Sequence, residues 1–327
     1  MKKRDITPKT RIFFISLAFL RRRAYNKRRK QCLRKEITMK GILLAGGYGT
    51  RLYPSTVSVV KQLLPIYDKP MIYYPLSLLM QAGIREILLI TTPEALPAFQ
   101  RLFRDGEDLG ILLSYAVQKE PAGIAEALLI GADFIGEDSV CLALGDNLFY
   151  GEDLPARLRD AMHENEGATV FLASVENPAD FGICTWDENG NLQKIEEKPN
   201  APRSSFAVTG LYLYNADVVR IARTICPSAR GELEITDVNN EYIRRGLLKT
   251  IFLRADDRWF DMGTPDALLE TAFVVKELSD KGIFVGSPEA VAWQNGWITK
   301  DCLDARLGEK KGSAYGGYIL GLAGNKE

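Results

Sequence analysis

Short apolar runs alternate with longer amphipathic stretches along the first half of the chain, beginning at Met39. Runs of strand length occupy residues 42–45, 87–91, 112–117 and 140–144, and helix-length stretches occupy residues 71–82, 97–103 and 124–134. Strands that alternate with helices are typical of a parallel sheet covered by helices on both faces. We therefore predict a doubly wound, mostly parallel α/β sheet, in which ligands bind beyond the carboxyl ends of the strands.

The pattern changes after Gly151, where strand-length runs follow one another closely. Residues 169–175, 183–186, 192–195 and 208–214 are predicted strands, with a turn at residues 187–190. A helix is predicted at residues 265–278, followed by a segment interrupted by proline and glycine. We divide the chain into a tail (1–38), an α/β half (39–150), a β-rich half of the same domain (151–263) and a C-terminal helical packing segment (264–327).

The tail differs from the rest of the chain in charge. Residues 1–38 contain 14 Lys/Arg and 2 Asp/Glu, a net +12, whereas the remainder contains 28 and 40, a net −12. The apolar stretch at residues 12–20 is less than half of the roughly 20 residues that a membrane-spanning helix needs. It runs directly into Arg21-Arg22-Arg23, which argues against a secretory signal. We predict no membrane partner, and for the acidic body no nucleic-acid partner.

Two interpretations of the tail stay open. It is either a basic arm for nucleic acid or an anionic surface, or a stretch upstream of the working start at Met39. We favour the second, because the first predicted strand follows Met39 directly.

Cysteine and histidine usage excludes several chemistries. The five cysteines, at positions 32, 141, 184, 226 and 302, lack the spacing of a zinc site or a CxxC redox pair, which indicates reduced thiols in a cytoplasmic protein. The one histidine, His163, falls on a predicted exposed helix. Histidine-based acid–base or nucleophilic catalysis therefore has little support.

A glycine-rich turn, Gly46-Gly47-Tyr48-Gly49-Thr50-Arg51, follows the first predicted strand. Glycines let backbone N–H groups approach phosphate oxygens closely, and an arginine adds a planar cation. The turn lacks the third glycine of a dinucleotide fingerprint, since Leu52 stands there, and it has no Gly-Lys-Ser/Thr of a P-loop. Lys61 is a candidate second cation, or a solvated lysine. On these residues alone, a purely structural turn is an equal alternative.

The segments Gly-Gly-x-Gly-Thr-Arg-Leu at residues 46–52 and Lys-Gln-Leu-Leu-Pro-Ile-Tyr-Asp-Lys-Pro-Met-Ile-Tyr-Tyr-Pro-Leu at residues 61–76 resemble those of glucose-1-phosphate thymidylyltransferases. The similarity continues from Met39 almost to the C-terminus. The resemblance implies a Rossmann-like nucleotidyltransferase core with an added sugar-binding β-rich lobe. It also implies transfer from dTTP to glucose 1-phosphate with Mg²⁺, giving dTDP-glucose and pyrophosphate, by a cytoplasmic homotetramer that supplies dTDP-sugars for polysaccharide synthesis.

The resemblance also implies the nucleotide-binding residues. These are Leu44, Ala45, Gly46, Gly47, Gly49, Thr50 and Arg51 in the turn, and Gln118, Pro121 and Gly123 in a Gln-x-x-Pro-x-Gly segment. A glutamine amide can donate to and accept from a pyrimidine edge. The family has an aspartate where Ala122 stands here. The thymine methyl group gives only about 1 to 3 kcal/mol of discrimination against uracil, so uridylyl transfer stays an alternative. Transfer to another sugar 1-phosphate is a further alternative.

Two aspartates match the metal ligands of the family. Asp146, in Leu144-Gly145-Asp146-Asn147, follows a predicted parallel strand, where a Mg²⁺ that bridges phosphates is expected. A capping aspartate in a turn is the alternative. Asp261, in Trp259-Phe260-Asp261-Met262, matches the second ligand, although the family more often has threonine where Met262 stands.

The expected sugar-phosphate site lies in the second half. The resemblance assigns it Asn147, Gly182, Glu197, Lys198, Val208, Thr209 and Arg230, with Phe181 in place of the family's tyrosine. Arg51, Lys61 and Lys198 are the predicted catalytic residues, which neutralise phosphates during a single in-line displacement. A non-catalytic nucleotide-sugar binding protein is the alternative from a different class.

Overall fold

The described part of the chain, residues 39–308 and 312–324 of a computed structural model, forms a mixed sheet with helices on both faces. The predictions for residues 1–38, including Cys32, lie outside the described residues. In chain order the strands are β1 (Lys40–Ala45), β2 (Pro65–Ile66), β3 (Lys69–Pro70), β4 (Glu86–Thr91), β5 (Leu112–Val117), β6 (Val140–Leu144), β7 (Asn147–Tyr150), β8 (Ala168–Ser174), β9 (Gly182–Trp186), β10 (Leu192–Glu197), β11 (Phe206–Tyr214), β12 (Leu248–Phe252) and β13 (Arg258–Asp261).

The described helices are α1 (Tyr73–Gln81), α2 (Leu96–Phe103), α3 (Glu126–Ile130), α4 (Ala132–Ile135), α5 (Leu154–His163), α6 (Val218–Ala222), α7 (Ile235–Arg244), α8 (Pro265–Asp280), α9 (Pro288–Gln294), α10 (Lys300–Leu307) and α11 (Ala314–Gly324). Short 3-10 helices cover Thr50–Leu52, Lys61–Leu63, Glu107–Leu109 and Pro178–Asp180. Within these residues no helix is long and apolar enough to cross a membrane.

The parallel core is built on β1, which pairs in parallel with β4 on one side and β6 on the other, while β5 pairs in parallel with β4. Side chains of β1 alternate between two hydrophobic clusters. Leu43 and Ala45 face a cluster with α1, α2, α5 and the C-terminal helices, whereas Ile42 and Leu44 face one with α3, α4, α6 and α7. The predicted parallel sheet with helices on both faces is confirmed.

The second half of the chain extends the same sheet with antiparallel strands. β11 pairs antiparallel with β6, β8 and β9, and β9 pairs antiparallel with β10. The remaining strand, β12, pairs in parallel with β8. The sheet is therefore mixed, and its parallel part is the α/β half that the sequence pattern predicted.

One predicted helix, at residues 124–134, forms two short helices that meet at Gly131. A side chain on Gly131 would place its Cβ 2.8 Å from Ile42 Cδ1 and 3.1 Å from the Ala127 carbonyl oxygen. The helix therefore bends where it packs directly against β1.

A short two-stranded sheet, which the sequence pattern did not predict, positions the candidate metal ligands. β13 pairs antiparallel with β7, and Asp261 lies opposite Asn147. Each strand has only four residues, too few to show a period of two in the sequence. The pairing places Asp261 beside Asp146, the residue that precedes β7.

The C-terminal helices attach to the α/β core through a buried ion pair. The Arg306 side chain, 9% exposed, donates to Glu289 Oε1 at 2.8 Å and to Asp108 Oδ2 at 2.6 Å. The Tyr315 hydroxyl donates to Glu289 Oε2 at 2.5 Å. These contacts join α9, α10 and α11 to the turn before β5.

Glu289→Ala is expected to lower the free energy of unfolding by about 3 kcal/mol, because it removes one partner of a buried guanidinium. Equilibrium urea unfolding followed by circular dichroism measures the change. Asp280→Ala is the control: it removes an ion pair with Lys276 whose side chains are both more than half exposed, and we expect little effect. Equal losses in the two variants would contradict the assignment.

Candidate active site

The ends of β1 and β6 approach each other closely because glycine occupies the first position after β6. The Gly145 N–H donates to the Leu44 carbonyl oxygen at 2.8 Å. A Cβ at Gly145 would lie 2.8 Å from the same oxygen and 2.9 Å from Ile72 Cδ1. Any side chain would force the strand ends apart, and Asp146 would move away from the glycine turn.

The glycine turn adopts backbone conformations that favour glycine. Gly47 has φ +91° and Gly49 has φ +59°. Two side chains stabilise the turn by hydrogen bonds to its carbonyl groups. The Thr56 hydroxyl donates to the Gly49 carbonyl at 2.9 Å, and the Gln62 amide donates to the Gly46 carbonyl at 3.2 Å. Tyr48 is exposed, and its hydroxyl donates to Glu120 Oε2 at 3.1 Å.

Other predicted nucleotide residues flank this turn. The side chains of Leu44 and Ala45 are buried, so these residues offer only backbone atoms to a ligand. The Ala45 carbonyl already accepts from the Thr91 hydroxyl at 2.8 Å. Thr50 and Arg51 begin a 3-10 helix and are exposed.

The predicted base-binding segment meets the glycine turn through Gln118. The Gln118 side chain is buried and donates to the Gly123 carbonyl at 3.2 Å and to Glu126 Oε2 at 2.7 Å. A Cβ at Gly46 would lie 2.6 Å from Gln118 Oε1. Pro121, by contrast, is exposed. The missing side chain at Gly46 therefore makes room for the amide that was predicted to contact the base.

Gly123 joins this segment to the second half of the chain. It has φ +107°, and a Cβ there would lie 2.3 Å from the Leu233 carbonyl oxygen. Around it, the Leu233 N–H donates to the Ala122 carbonyl at 2.7 Å, and the Ala125 N–H donates to the Leu233 carbonyl at 3.1 Å. The base-binding segment and the segment that carries Arg230 are thus hydrogen-bonded to each other.

Asp146 forms an ion pair with Lys61 at the centre of the site. The Lys61 ammonium donates to Asp146 Oδ2, and the Asn147 amide donates to Asp146 Oδ1 at 3.2 Å. Burial by itself would raise the pKa of Asp146. The charge and hydrogen bond of Lys61 outweigh burial and hold this pKa below its ordinary value.

Asp261, the second carboxylate, has weaker compensation. Arg51 Nη2 lies 3.9 Å from Asp261 Oδ2, too far for a hydrogen bond. Burial and the neighbouring charge of Asp146 raise the pKa of Asp261 to about 6, against the opposing effect of Lys61, Arg51 and Lys198. The Met262 N–H donates to the Asp146 carbonyl at 3.0 Å and fixes the two aspartates next to each other.

The two carboxylates suit a divalent cation. Oxygen ligands are those that Mg²⁺ prefers, and proteins commonly supply it with one or two carboxylates while substrate phosphates and water supply the rest. The described residues contain no group of three or more potential metal ligands. Burial and the charge of Asp146 both disfavour the ionised form of Asp261 and raise its pKa, and a bound cation would favour that form.

Asn147 connects the two carboxylates to the second half of the chain. Its Oδ1 accepts from the Gly210 N–H at 3.1 Å and from the Trp259 indole N–H at 2.6 Å. A Cβ at Gly210 would lie 2.5 Å from this oxygen. Phe181 packs edge-on against Trp259, with ring centroids 5.4 Å apart. Asn147 is therefore fixed by β11 and β13 together.

The predicted sugar-phosphate residues Glu197 and Arg230 lie together. Glu197 Oε2 accepts from the Thr236 hydroxyl at 2.5 Å, and Glu197 Oε1 lies 3.4 Å from Arg230 Nη2. Gly182 leaves room for this pair, because a Cβ there would lie 3.3 Å from Glu197 Oε2. Arg230 Nη2 also contacts both carboxylate oxygens of Glu234 at 2.9 Å.

Three further residues were predicted to bind the sugar phosphate. Lys198 is exposed and has φ +44°, an uncommon backbone conformation for a residue with a side chain. Its N–H donates to the Phe181 carbonyl at 3.0 Å. The Thr209 hydroxyl, in contrast, is buried and donates to the Phe171 carbonyl at 3.0 Å, so only its backbone can face a sugar. Val208 is likewise a buried side chain.

Sequence reasoning missed four residues that support the site: Glu126, Glu234, Thr236 and Trp259. Trp259 lies two residues before Asp261, but the four residues of β13 are too few to reveal from sequence which side chains share a face. Glu126 and Glu234 contact Gln118 and Arg230, which are eight and four residues away across irregular segments with no periodic pattern. Thr236 contacts Glu197, which is 39 residues away in the chain.

Comparison with known proteins identifies the family. A sequence profile described as nucleotidyl transferase matches residues 40–277, well over half of the chain. The chain belongs to the nucleotidyl transferase family. Members of this kind generally use a divalent metal, which agrees with the paired carboxylates.

Similar proteins of known name indicate the group within this family to which the chain is most similar. A glucose-1-phosphate thymidylyltransferase of Neisseria gonorrhoeae is 51% identical over 287 residues, covering 88% of this chain and 100% of the relative. A glucose-1-phosphate thymidylyltransferase of Mycolicibacterium smegmatis is 52% identical over 285 residues, covering 87% of this chain and 99% of the relative. The resemblance seen in the glycine turn is thereby confirmed, and this nucleotidyltransferase groups with the thymidylyltransferases.

Solved structures agree with the fold. A Bacillus anthracis structure, described as a glucose-1-phosphate thymidylyltransferase in complex with sucrose, has TM-score 0.67 and 41% identity, covering 72% of this chain and 94% of that one. A UDP-glucose pyrophosphorylase complexed with UDP-glucose has TM-score 0.65 and 26% identity, with 73% and 99% covered. The higher identity to thymidylyltransferases favours them over the uridylyl alternative.

Gly210→Ala is expected to reduce turnover by about 100-fold, because the new Cβ must displace Asn147, and a shift of about 1 Å near reacting groups has effects of this size. Steady-state pyrophosphate release measures the loss. Gly321→Ala is the matched control, since a Cβ at Gly321 meets nothing within 4 Å. Unchanged turnover in Gly210→Ala, or an equal loss in both variants, would contradict the role given to Asn147.

Proposed function

We propose that the protein transfers a thymidylyl group from dTTP to glucose 1-phosphate, giving dTDP-glucose and pyrophosphate. The observation that carries the proposal is the arrangement around Asp146. Two cations from the nucleotide half, Lys61 and Arg51, meet the carboxylates Asp146 and Asp261 at the edge of the sheet. Through Asn147 this cluster connects to β11 of the sugar-binding half.

The reaction is a single in-line displacement. A phosphate oxygen of glucose 1-phosphate forms a bond to the α-phosphorus of dTTP, and the bond from that phosphorus to the bridging oxygen breaks, so that pyrophosphate leaves with the electron pair. The attacking phosphate is already ionised and needs no strong base. Catalysis then depends on alignment and on neutralising the charge of two anionic substrates.

Different cations are proposed to neutralise the two anionic substrates. Arg51 and the N–H groups of the glycine turn bind the triphosphate, and Lys61 neutralises it from its position beside Asp146. Lys198 and Arg230 bind the phosphate of the sugar, for which the planar donor fork of arginine is suited. Glu197 accepts hydrogen bonds from the sugar hydroxyls. Three observations support these roles: Lys61 contacts Asp146, Arg230 contacts Glu197, and the charges of Arg51 and Lys198 act on Asp261.

Mg²⁺ is the proposed divalent cation, held by Asp146 and Asp261. A bound Mg²⁺ would neutralise phosphate oxygens and align them for displacement. A cytoplasmic location is part of the same proposal, supported by the free thiols of Cys141, Cys184, Cys226 and Cys302.

The full-length protein is expected to release pyrophosphate from dTTP and glucose 1-phosphate in the presence of Mg²⁺, and to release less from UTP. A coupled pyrophosphate assay with a panel of nucleotides and sugar phosphates measures this. Lys61→Ala should lose at least about 100-fold in turnover at saturating nucleotide, since it removes a charge that contacts the transferred group. Lys249→Ala, which replaces an exposed lysine of β12 outside the proposed site, serves as the control.

Two results would reject the proposal. Equal or faster release from UTP would favour the uridylyl alternative. Wild-type protein that binds the nucleotide sugar without releasing pyrophosphate would favour a binding protein.

We further propose that the protein assembles as a homotetramer. The supporting feature is on α8, where Leu269 and Phe273 lie one turn apart and are 59% and 60% exposed. Large apolar side chains grouped on one helix face are typical of protein contact surfaces.

Phe273→Glu is expected to shift the protein to a smaller species, because a charge would replace an apolar contact between subunits. Light scattering after size-exclusion chromatography measures the mass. Lys276→Ala, on the same helix, should leave the assembly unchanged. A tetrameric Phe273→Glu variant, or a monomeric wild type, would contradict this assignment.

A further inference from the structure

Lys61 and Asp146 form an ion pair that is largely shielded from solvent. Their side chains are 16% and 12% exposed, and the Lys61 ammonium contacts Asp146 Oδ2 directly. The lysine begins the 3-10 helix Lys61–Leu63, and the next residue, Gln62, is buried with its amide donating to the Gly46 carbonyl. The backbone of Lys61 is thus fixed beside the glycine turn, whereas its ammonium is carried on a flexible four-carbon side chain.

This ion pair uses the oxygens that a metal would need. Asp146 Oδ2 is bound by the ammonium, and Asp146 Oδ1 accepts from the Asn147 amide. Asp261 is not equivalent, since Arg51 Nη2 lies 3.9 Å from its Oδ2, too far for a hydrogen bond. A divalent cation that binds Asp146 would therefore have to share one carboxylate with an ammonium, and two like charges a few ångströms apart repel strongly in a partly buried site.

We propose that Lys61 acts as an internal counter-cation of Asp146, which keeps divalent metal weakly bound until a nucleoside triphosphate draws the ammonium away. The inference rests on the proposed function in one respect: the triphosphate is the ligand that releases Lys61. Lys61 then has two positions, one on Asp146 and one on the phosphates.

The exchange is favourable because each charge keeps a partner. In the ligand-free protein the ammonium compensates Asp146, whose burial without a cation would be costly. When the triphosphate binds, its oxygens offer Lys61 an alternative partner, and Asp146 gains a divalent cation in place of a monovalent one. A ligand shifts such an equilibrium only by binding one state better than the other, and the triphosphate meets this condition through Lys61. Metal and nucleotide are consequently expected to bind together.

Manganese binding to the nucleotide-free, full-length protein tests the proposal directly. Electron paramagnetic resonance measures free Mn²⁺ during titration of wild type, Lys61→Gln and Lys61→Arg. We expect Lys61→Gln to bind Mn²⁺ at least about tenfold more tightly than wild type, because one repulsive charge is removed. Lys61→Arg keeps the charge and should bind Mn²⁺ as weakly as wild type.

Lys198→Gln is the matched control, because it removes a positive charge from the same site without an ion pair to Asp146. We expect it to change Mn²⁺ affinity by less than about threefold. Unchanged or weaker Mn²⁺ binding in Lys61→Gln would overturn the proposal, and so would equal tightening in Lys198→Gln. Circular dichroism establishes that each variant is folded, and Lys61→Met provides a second uncharged replacement.

These outcomes are separate from those of the proposed function. Pyrophosphate release from dTTP by wild type, together with unchanged Mn²⁺ affinity in Lys61→Gln, would refute the counter-cation role alone. The expected Mn²⁺ pattern in a protein that makes no dTDP-glucose would refute the proposed reaction and leave the counter-cation role standing.

Discussion

Two carboxylates, Asp146 and Asp261, lie side by side at the carboxyl edge of the sheet, and the charges around them explain most of the site. Burial, together with the charge of Asp146, raises the pKa of Asp261 to about 6. Lys61 forms an ion pair with Asp146, and Lys61 and Arg51 both act on Asp261 from a greater distance. Because both proposed substrates are anions, the site must collect further cations without leaving any of them uncompensated when the substrates are absent.

The same arrangement recurs on the sugar side. Arg230 contacts Glu234 bidentately and lies within 3.5 Å of Glu197 and Glu232. Three of the four cations proposed to bind phosphate, Arg51, Lys61 and Arg230, therefore have a carboxylate partner, and the fourth, Lys198, is exposed. The carboxylates Asp146, Glu197 and Asp261 sit at the ends of strands, whereas Lys61 and Arg230 sit on turns and short helices. Substrate binding is thus more easily accommodated by movement of the cations than of the carboxylates.

The sequence permitted prediction of those parts of the structure that depend on local patterns. Apolar runs predicted the parallel strands. The glycine turn and Asp146 follow the ends of two of these strands, which predicted that both lie at the ligand-binding edge of the sheet. Contacts between distant segments could not be predicted in this way. The Thr209 hydroxyl donates to the Phe171 carbonyl of the neighbouring strand β8, and this contact depends on the pairing of β11 with β8, whose register shifts between Val208 and Tyr212. The partners of Arg230 depend similarly on a turn whose shape has no periodic signal.

Two departures from the family pattern have a structural explanation. Met262, where threonine is more common, contributes its backbone N–H to the Asp146 carbonyl, and any residue can supply that bond. Its side chain is fully buried among Ile66, Met71 and Leu148, where a thioether fits well. Phe181 lacks the tyrosine hydroxyl but keeps the ring contact with Trp259, whose indole holds Asn147. The substitutions therefore alter the surroundings of the carboxylates while the atoms that position Asp146 stay in place.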